Sequence, residues 1–415
     1  MSVVGLITEY NPFHKGHEYH INKAKELTGA EHAIVVMSGN YVQRGTPAFM
    51  DKYTRASIAL NHGADLILEL PLPFSCSSAE YFASAAVSIL DKAGIIDSIC
   101  FGAETDDLNT LTMIANLLAD AKVNSNHPIN TLIKENLKTG LSYAASRASA
   151  LCELCDNKDI NTIMEQPNNI LAIEYLKAIK LLNSKIKPYL LKRTLASYHD
   201  TNGNNHMYSA STLRKAFNED ISLDEIFTFD ETYKAKYNVT YPITERDFDT
   251  IIASKLLENL YQNIDLTTYN NIDEQLANKI IKTIKEHGYN GWNDFCMLLK
   301  SKNIAYTSIC RGLLSILLDI KKYDFNKYLD TGICNYARIL GFKKQASSLL
   351  NLIKNNSSLT LVGQLSEIND NPKLSEDDLN MINKSIYADE LYNSIIKLKY
   401  STDVPNEYRR KIIRL

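Results

Sequence analysis

The strongest constraint on the fold is a rhythm in the first hundred or so residues. Short, almost uninterrupted apolar runs recur there: VVGLI from Val3, HAIVVM through Val35, ADLILEL through Leu68 and DSICFG through Cys100. Amphipathic segments with helical spacing lie between them. A strand that is apolar at successive positions is buried on both faces, the condition of a parallel strand with helices above and below it. Strands alternating with helices are joined by crossovers, so the pattern predicts an α/β unit with a Rossmann-like parallel sheet. Gly63, after a helix around Arg55 to Asn61, and Gly94, after one from Tyr81 to Leu90, stand where helix C-caps are expected.

From about Asp106 to Cys155 the pattern is helical, a further helix begins near PNNILAIEYLKAI, and the sheet resumes with KPYLLKR around Leu190. The polar loop HDTNGNNH follows, then SASTLRKAF, read as a helix opened by a hydroxyl cap at Ser209 or Ser211. Beyond about Ile221 the composition turns to Asn, Lys, Tyr and Leu, with helix-period segments such as NKIIKTIKEHG and CRGLLSILLDIKK. A chain of 415 residues exceeds what one core usually organises. The expected division is therefore an α/β domain over 1–220 and an all-helical domain over 221–415, with no fixed-period repeat.

Charge and cysteine usage exclude some classes. The formal charge of -3 gives no global basic field, against a protein that coats nucleic acid nonspecifically. The N-terminus has no cationic lead, and no stretch approaches the roughly 20 apolar residues of a membrane helix, so no membrane association and a cytoplasmic location are expected. Seven scattered cysteines without framework spacing read as reduced thiols. The lone CxxC of Cys152 and Cys155 reads as helix packing, since no second pair or nearby His completes a metal site.

The chemistry concentrates in GLITEYNPFHKGHEYHI, a strand running through a Pro-containing turn into HxGH and a helix. A strand ending at the carboxyl edge of a parallel sheet and feeding a helix N-terminus presents peptide N–H groups and a partial positive charge, which suit a triphosphate. Gly16 lets backbone approach phosphate oxygens. His14 and His17, one turn apart, place two imidazoles on one side, where they can donate to phosphate as charge develops in an in-line attack. A zinc site on His14, His17 and His20 is disfavoured because His20 lies off the shared face and no carboxylate or cysteine is suitably spaced; no metal ligand is assigned. HEYH is not HExxH, which removes a metalloprotease.

This segment resembles the HIGH signature of the nucleotidyltransferase superfamily, whose members attack the α-phosphate of ATP and release pyrophosphate. The full string EYNPFHKGHEYH is similar to that of the bacterial tRNA(Met) cytidine acetate ligases. So are SGNYVQRGTPAFMDKYTRA, GADLILELP, FGAE, PNNILAIEYLKAI, KPYLLKR with YHD after it, and SASTLR. The resemblance spans most of the first 220 residues and continues more weakly through YTSICRGLLSILL and YARILGF. It implies that acetate and ATP give acetyl-adenylate, and that the acetyl group passes to the wobble cytidine of elongator tRNA(Met), forming N4-acetylcytidine. Magnesium is expected only as the companion of ATP.

By the family's pattern ATP is enclosed by Ile7, Thr8, Asn11, Pro12, Phe13, His14, Gly16, His17 and His20, with Gly102, Asn168 and Arg193 completing the site; Asn169 is the alternative to Asn168. His14 and His17 carry the catalytic expectation, stabilising the leaving pyrophosphate, and Arg193 pairs with phosphate. Ser209, Ser211 and Arg214 of SASTLR resemble a second phosphate-binding motif. Lys15, where the family often has Asn, adds a cation beside the phosphates.

Each of these residues has a plainer reading. The imidazoles could be ordinary surface or core residues, Arg193 an end-of-strand ion pair, and Asn168, Ser209 and Ser211 helix caps. Arg44 of VQRG is a solvated loop residue or a substrate contact. Two basic clusters, Arg409, Arg410, Lys411 and Arg414 at the end of the chain and Lys343 with Lys344, are solvated faces or RNA contacts. A small-molecule adenylyltransferase of the same superfamily, or a non-catalytic RNA-binding adapter that retains ATP, stays open beside the ligase reading; acetate-dependent pyrophosphate release separates the three.

Overall fold

The computed structural model describes residues 1–193, 210–218 and 229–415, so Ser209 and the HDTNGNNH loop lie outside the described residues. The apolar runs form parallel strands β1 (Val3–Thr8), β2 (His32–Ser38), β3 (Leu66–Leu70) and β4 (Ser98–Ala103), and KPYLLK forms β5 (Lys187–Lys192). Their order is β3-β2-β1-β4-β5. The chain therefore starts in the middle of the sheet and winds to each side in turn, with its switch point between β1 and β4. Along β2, Ile34 and Val36 join one core cluster while Ala33, Val35 and Met37 join another. Both faces are covered, which is why these strands read as continuous apolar runs.

Four helices matter for the site: α1 (Lys15–Thr28), α2 (Lys52–Asn61), α3 (Ala79–Lys92) and α4 (Pro167–Leu181). The CxxC cysteines end the helix Tyr143–Cys155 and pack against the core. No described helix is long and apolar enough to cross a membrane.

The second half contains the expected helical region, in which Asp249–Tyr261, Glu274–His287, Trp292–Leu299 and Tyr306–Leu317 share one core. It is not helical throughout. Beyond it, β6 (Tyr336–Phe342) returns to the sheet antiparallel to β3, and β7 (Thr360–Val362) and β8 (Ile413–Arg414) pair in parallel with successive parts of β6. The reason this return is hidden in the sequence is Arg338, a charge at the centre of β6 that interrupts an apolar run.

Arg338 is accommodated by a buried ionic junction. Its guanidinium lies 2.6 Å from Glu407, and Lys52 at the start of α2 lies 2.8 Å from Glu69 of β3 and also contacts Asp389 of the long helix Glu376–Tyr400. Tyr53 donates to Glu407 at 2.8 Å, and the Asn40 amide donates to Asp389 at 2.9 Å. Two cations face three carboxyls. Burial holds the Asp389 carboxyl well above its usual range, with Lys52 only partly opposing it. Burial would also raise Glu407, but Lys52 and Arg338 outweigh it and hold that carboxyl down to about 2. The junction ties the last quarter of the chain to the edge of the parallel sheet.

Candidate active site

The turn after β1 is set by unusual backbone. Tyr10 adopts φ 48°, the Asn11–Pro12 peptide is cis, and His14 is the extended N-cap of α1. A non-glycine residue in the left-handed region costs on the order of 1–3 kcal/mol and persists only where its surroundings fix it. Here they do. Glu9 accepts the Gln43 amide at 2.8 Å through its carboxylate, and Asn11 accepts the Phe49 amide at 2.7 Å through its side-chain oxygen. Both side chains thus tie the turn to the loop after β2. Asn11, Pro12 and Phe13 are buried, and the Phe13 ring packs on Tyr10 and His17. What these residues offer a ligand is backbone, not side chain.

The histidines form a capping box. His14 Nδ1 accepts from the Gly16 amide at 3.1 Å, and His17 Nδ1 accepts from the His14 amide at 3.3 Å. The rings stack with centroids 3.7 Å apart. A peptide N–H can only donate, so each Nδ1 carries its lone pair, and each ring is a neutral imidazole with its proton on Nε2. The expectation of free helix amides is corrected at one point: the Gly16 N–H is occupied by His14. A side chain at Gly16 would crowd the cap itself, because a Cβ there would stand 2.9 Å from His14 Cε1.

The positive charge of Arg193 acts on all three histidines. Burial, reinforced by the Arg193 charge, pulls the His14 imidazole down to about 4. Burial, then His14, His20 and Arg193, hold His17 well below its usual value. Burial and Arg193 bring His20 down to about 4 against a hydrogen bond with the Cys100 backbone, and His20 Nε2 is buried with no partner among the described residues. Neutral rings beside a cation are poised to donate hydrogen bonds to an anion without carrying charge of their own. Thr8 ends β1 with its hydroxyl buried beside that of Tyr10, and Ile7 packs beside the core from the same strand. Among the described residues no group of three His, Cys, Asp or Glu could hold a metal ion.

The second wall comes from β4, β5 and α4. Gly102 lies under Arg193, whose Cγ would stand 3.1 Å from a Cβ at that glycine. Glu104 accepts from the Asn168 side chain at 2.6 Å and from the Asn169 amide at 2.8 Å, so a carboxylate already occupies the N-terminus of α4. Asn169 is buried and accepts from the Glu104 and Thr105 amides at 2.9 and 3.1 Å. Of the two asparagines, Asn168 is the one with surface.

Arg214, on the helix Ala210–Asn218, reaches the turn and donates to the Asn11 carbonyl. Ser211 is exposed on the same helix. Arg44 is exposed at the tip of the hairpin Tyr41–Val42 and Thr46–Pro47, within electrostatic reach of Arg214. Gly45, at φ 79°, seats that tip on the helical region: a Cβ would meet the Arg311 amide at 2.4 Å. Arg414, Lys343 and Lys344 of the two basic clusters do not come here, while Arg410 lies over the Tyr53 ring at the start of α2, 4.8 Å from its centroid. β8 pairs Arg414 with Phe342, beside Lys343 and Lys344, and Phe342 pairs with Leu66 at the start of β3. That is the edge of the sheet opposite the turn. Sequence reasoning passed over Glu104 and Arg55, although FGAE and YTRA contain them; no local signal marked Tyr233.

The whole-chain comparisons agree with this geometry. The HIGH Nucleotidyl Transferase family matches residues 1–407. The chain is 37% identical to the tRNA(Met) cytidine acetate ligase of Clostridium novyi, over 96% of this chain and all of that protein. It is 35% identical to the enzyme of that name from Clostridium kluyveri, over 95% of this chain and 98% of the relative. The crystal structure of Thermotoga maritima TmcAL bound with alpha-thio ATP superimposes over the full length of both chains, with a TM-score of 0.88 and 27% identity.

Proposed function

Because the chain belongs to the HIGH nucleotidyltransferases and, within them, to the tRNA(Met) cytidine acetate ligases, we propose that it activates acetate with ATP and transfers the acetyl group to the wobble cytidine of elongator tRNA(Met). The observation that carries this reading is the stacked, neutral His14–His17 pair beside Arg193 at the carboxyl edge of β1. An acetate oxygen attacks the α-phosphorus of ATP and the bond to pyrophosphate breaks. His14 and His17 donate through Nε2 to the phosphate oxygens that gain charge, and Arg193 balances the departing anion. The exocyclic amine of cytidine then attacks the acetyl carbonyl, AMP leaves with the acetate oxygen, and the amine gives up a proton.

The nucleotide lies along Ile7 to His20, with Gly102 and Asn168 toward its adenosine end. The Asn168 side-chain oxygen suits an exocyclic amine, since its NH2 is turned to Glu104. Magnesium travels with ATP. Residues 1–220 form the nucleotidyltransferase unit, its sheet extended by β6, β7 and β8, and the helical region between Asp249 and Leu317 supplies the tRNA-binding surface, in the cytoplasm. Arg44 and Arg214 stand on the side from which the anticodon loop approaches.

Incubation with labelled acetate, ATP and total tRNA, followed by nucleoside analysis, tests the proposal. Label in N4-acetylcytidine of elongator tRNA(Met), dependent on ATP, supports it; label absent from tRNA, with AMP transferred to a phosphorylated small molecule instead, favours the adenylyltransferase.

A further inference from the structure

Three consecutive odd-numbered carbonyls of the turn are each held by a side chain from elsewhere in the chain. Arg55 of α2 donates to Glu9 O at 2.5 Å, Arg214 donates to Asn11 O, and the Tyr233 hydroxyl donates to Phe13 O. Arg55 and Tyr233 are fully buried. Arg55 also donates to the carbonyls of Met50, Ser38 and Gly39, so it fixes the ends of β1 and β2 together.

Tyr233 belongs to the short helix Glu231–Lys236, which is itself pinned against the motif helix. His62 lies 2.9 Å from Glu18 of α1 and 3.1 Å from Asp230 through its two ring nitrogens, and its ring stacks on Phe229 at 4.4 Å. Phe229 in turn stacks on Phe13 at 6.1 Å. Turn and rear wall therefore share one packed unit, with the left-handed Tyr10 between two of the held carbonyls.

We propose that Tyr233 is a positioning residue: by holding the Phe13 carbonyl it fixes the peptide that precedes His14, and so aims the stacked imidazoles at the triphosphate. This rests on the acetate-activating function above. A carbonyl turned to the rear directs the opposite side of the turn toward the ligand, and a side chain misplaced by about 1 Å is enough to cost up to 10²-fold in rate.

The test is Tyr233→Phe, which removes one oxygen, with Tyr328→Phe as a control for a buried tyrosine whose hydroxyl has no partner among the described residues. In acetate-dependent ATP–pyrophosphate exchange, Tyr233→Phe is expected to lower kcat about tenfold while KM for ATP stays within about threefold. In NMR spectra the ring resonances of His14 and His17 are expected to move and that of His127 to stay. Unmoved rings, or moved rings with undiminished kcat, overturn the proposal. If the wild-type protein shows no acetate-dependent exchange, the proposed function fails by itself, and the ring resonances alone still decide whether Tyr233 holds the turn. Should Tyr233→Phe not fold, 3-fluorotyrosine at position 233, which keeps the ring and hydroxyl but changes the strength of the donor, takes its place: moved His14 and His17 rings support the clamp and unmoved rings overturn it.

Discussion

Lys52 and Arg55 lie one turn apart on α2, both fully buried and both cationic, yet they serve opposite ends of the molecule's economy of charge. Lys52 sits among the carboxyls of Glu69, Asp389 and Glu407. Arg55 sits among the carbonyls of Glu9, Ser38, Gly39 and Met50. The first arrangement joins distant parts of the chain by neutralising charge. The second holds backbone in place without neutralising the guanidinium, directly behind a turn whose imidazoles are kept uncharged. Buried carboxylates would oppose a triphosphate at that turn; carbonyl dipoles secured by an arginine do not.

The largest effect expected from this contrast is on folding. Lys52→Met leaves three carboxyls facing Arg338 alone, and breaking a buried ion pair in this way costs about 3–5 kcal/mol. Denaturant unfolding at pH 8 should record that loss, with a smaller one at pH 5 where the carboxyls more readily take protons. Equal losses at both pH values would mean that packing, not charge, is the basis of the junction.

Next in size is the effect at the turn. His14→Ala and His17→Ala should each lower acetate-dependent pyrophosphate exchange by roughly 10²–10³-fold, the range for removing a donor to developing charge. Stability should fall by only about 1 kcal/mol, the cost of a helix cap. A reversed pattern, with large unfolding effects and near-normal exchange, would make the two regions alike.

The smallest expected effect is on pH dependence. Burial brings the His14 and His20 imidazoles down to about 4, below the ordinary 6.5. Between those limits the unfolded chain binds protons that the folded one refuses, so stability is full above about 6.5 and declines as pH falls toward 4. The acid limb of kcat should lie well below 6.5, because the working form of both rings is neutral. A limb centred near 6.5 would indicate that His14 is not held neutral by its surroundings.

The two regions also differ in how far the sequence announces them. Continuous apolar runs mark β1 to β4, because burial on both faces leaves little room for polar residues, and HxGH after β1 marks the turn. The carbonyl clamps are silent, since a carbonyl belongs to every residue and the clamping side chains stand 46, 203 and 220 positions away. Asn11 was legible as part of the motif but not as a tie to Phe49, for the same reason. β6 was missed because Arg338 looks like a surface charge until Glu407, 69 residues later, is brought beside it. Asn168 and Asn169 are adjacent and chemically identical; only burial against Glu104 and Thr105 separates them.

The most direct measurement follows the oxygen of acetate. With doubly ¹⁸O-labelled acetate, ATP and tRNA(Met), attack on the α-phosphorus at the His14–His17 turn places one labelled oxygen in the AMP released with each acetylated cytidine, and His17→Ala should lower labelled AMP and product together by roughly 10²–10³-fold. Acetylated cytidine accompanied by unlabelled AMP, or label found in inorganic phosphate, would contradict activation through acetyl-adenylate at this site.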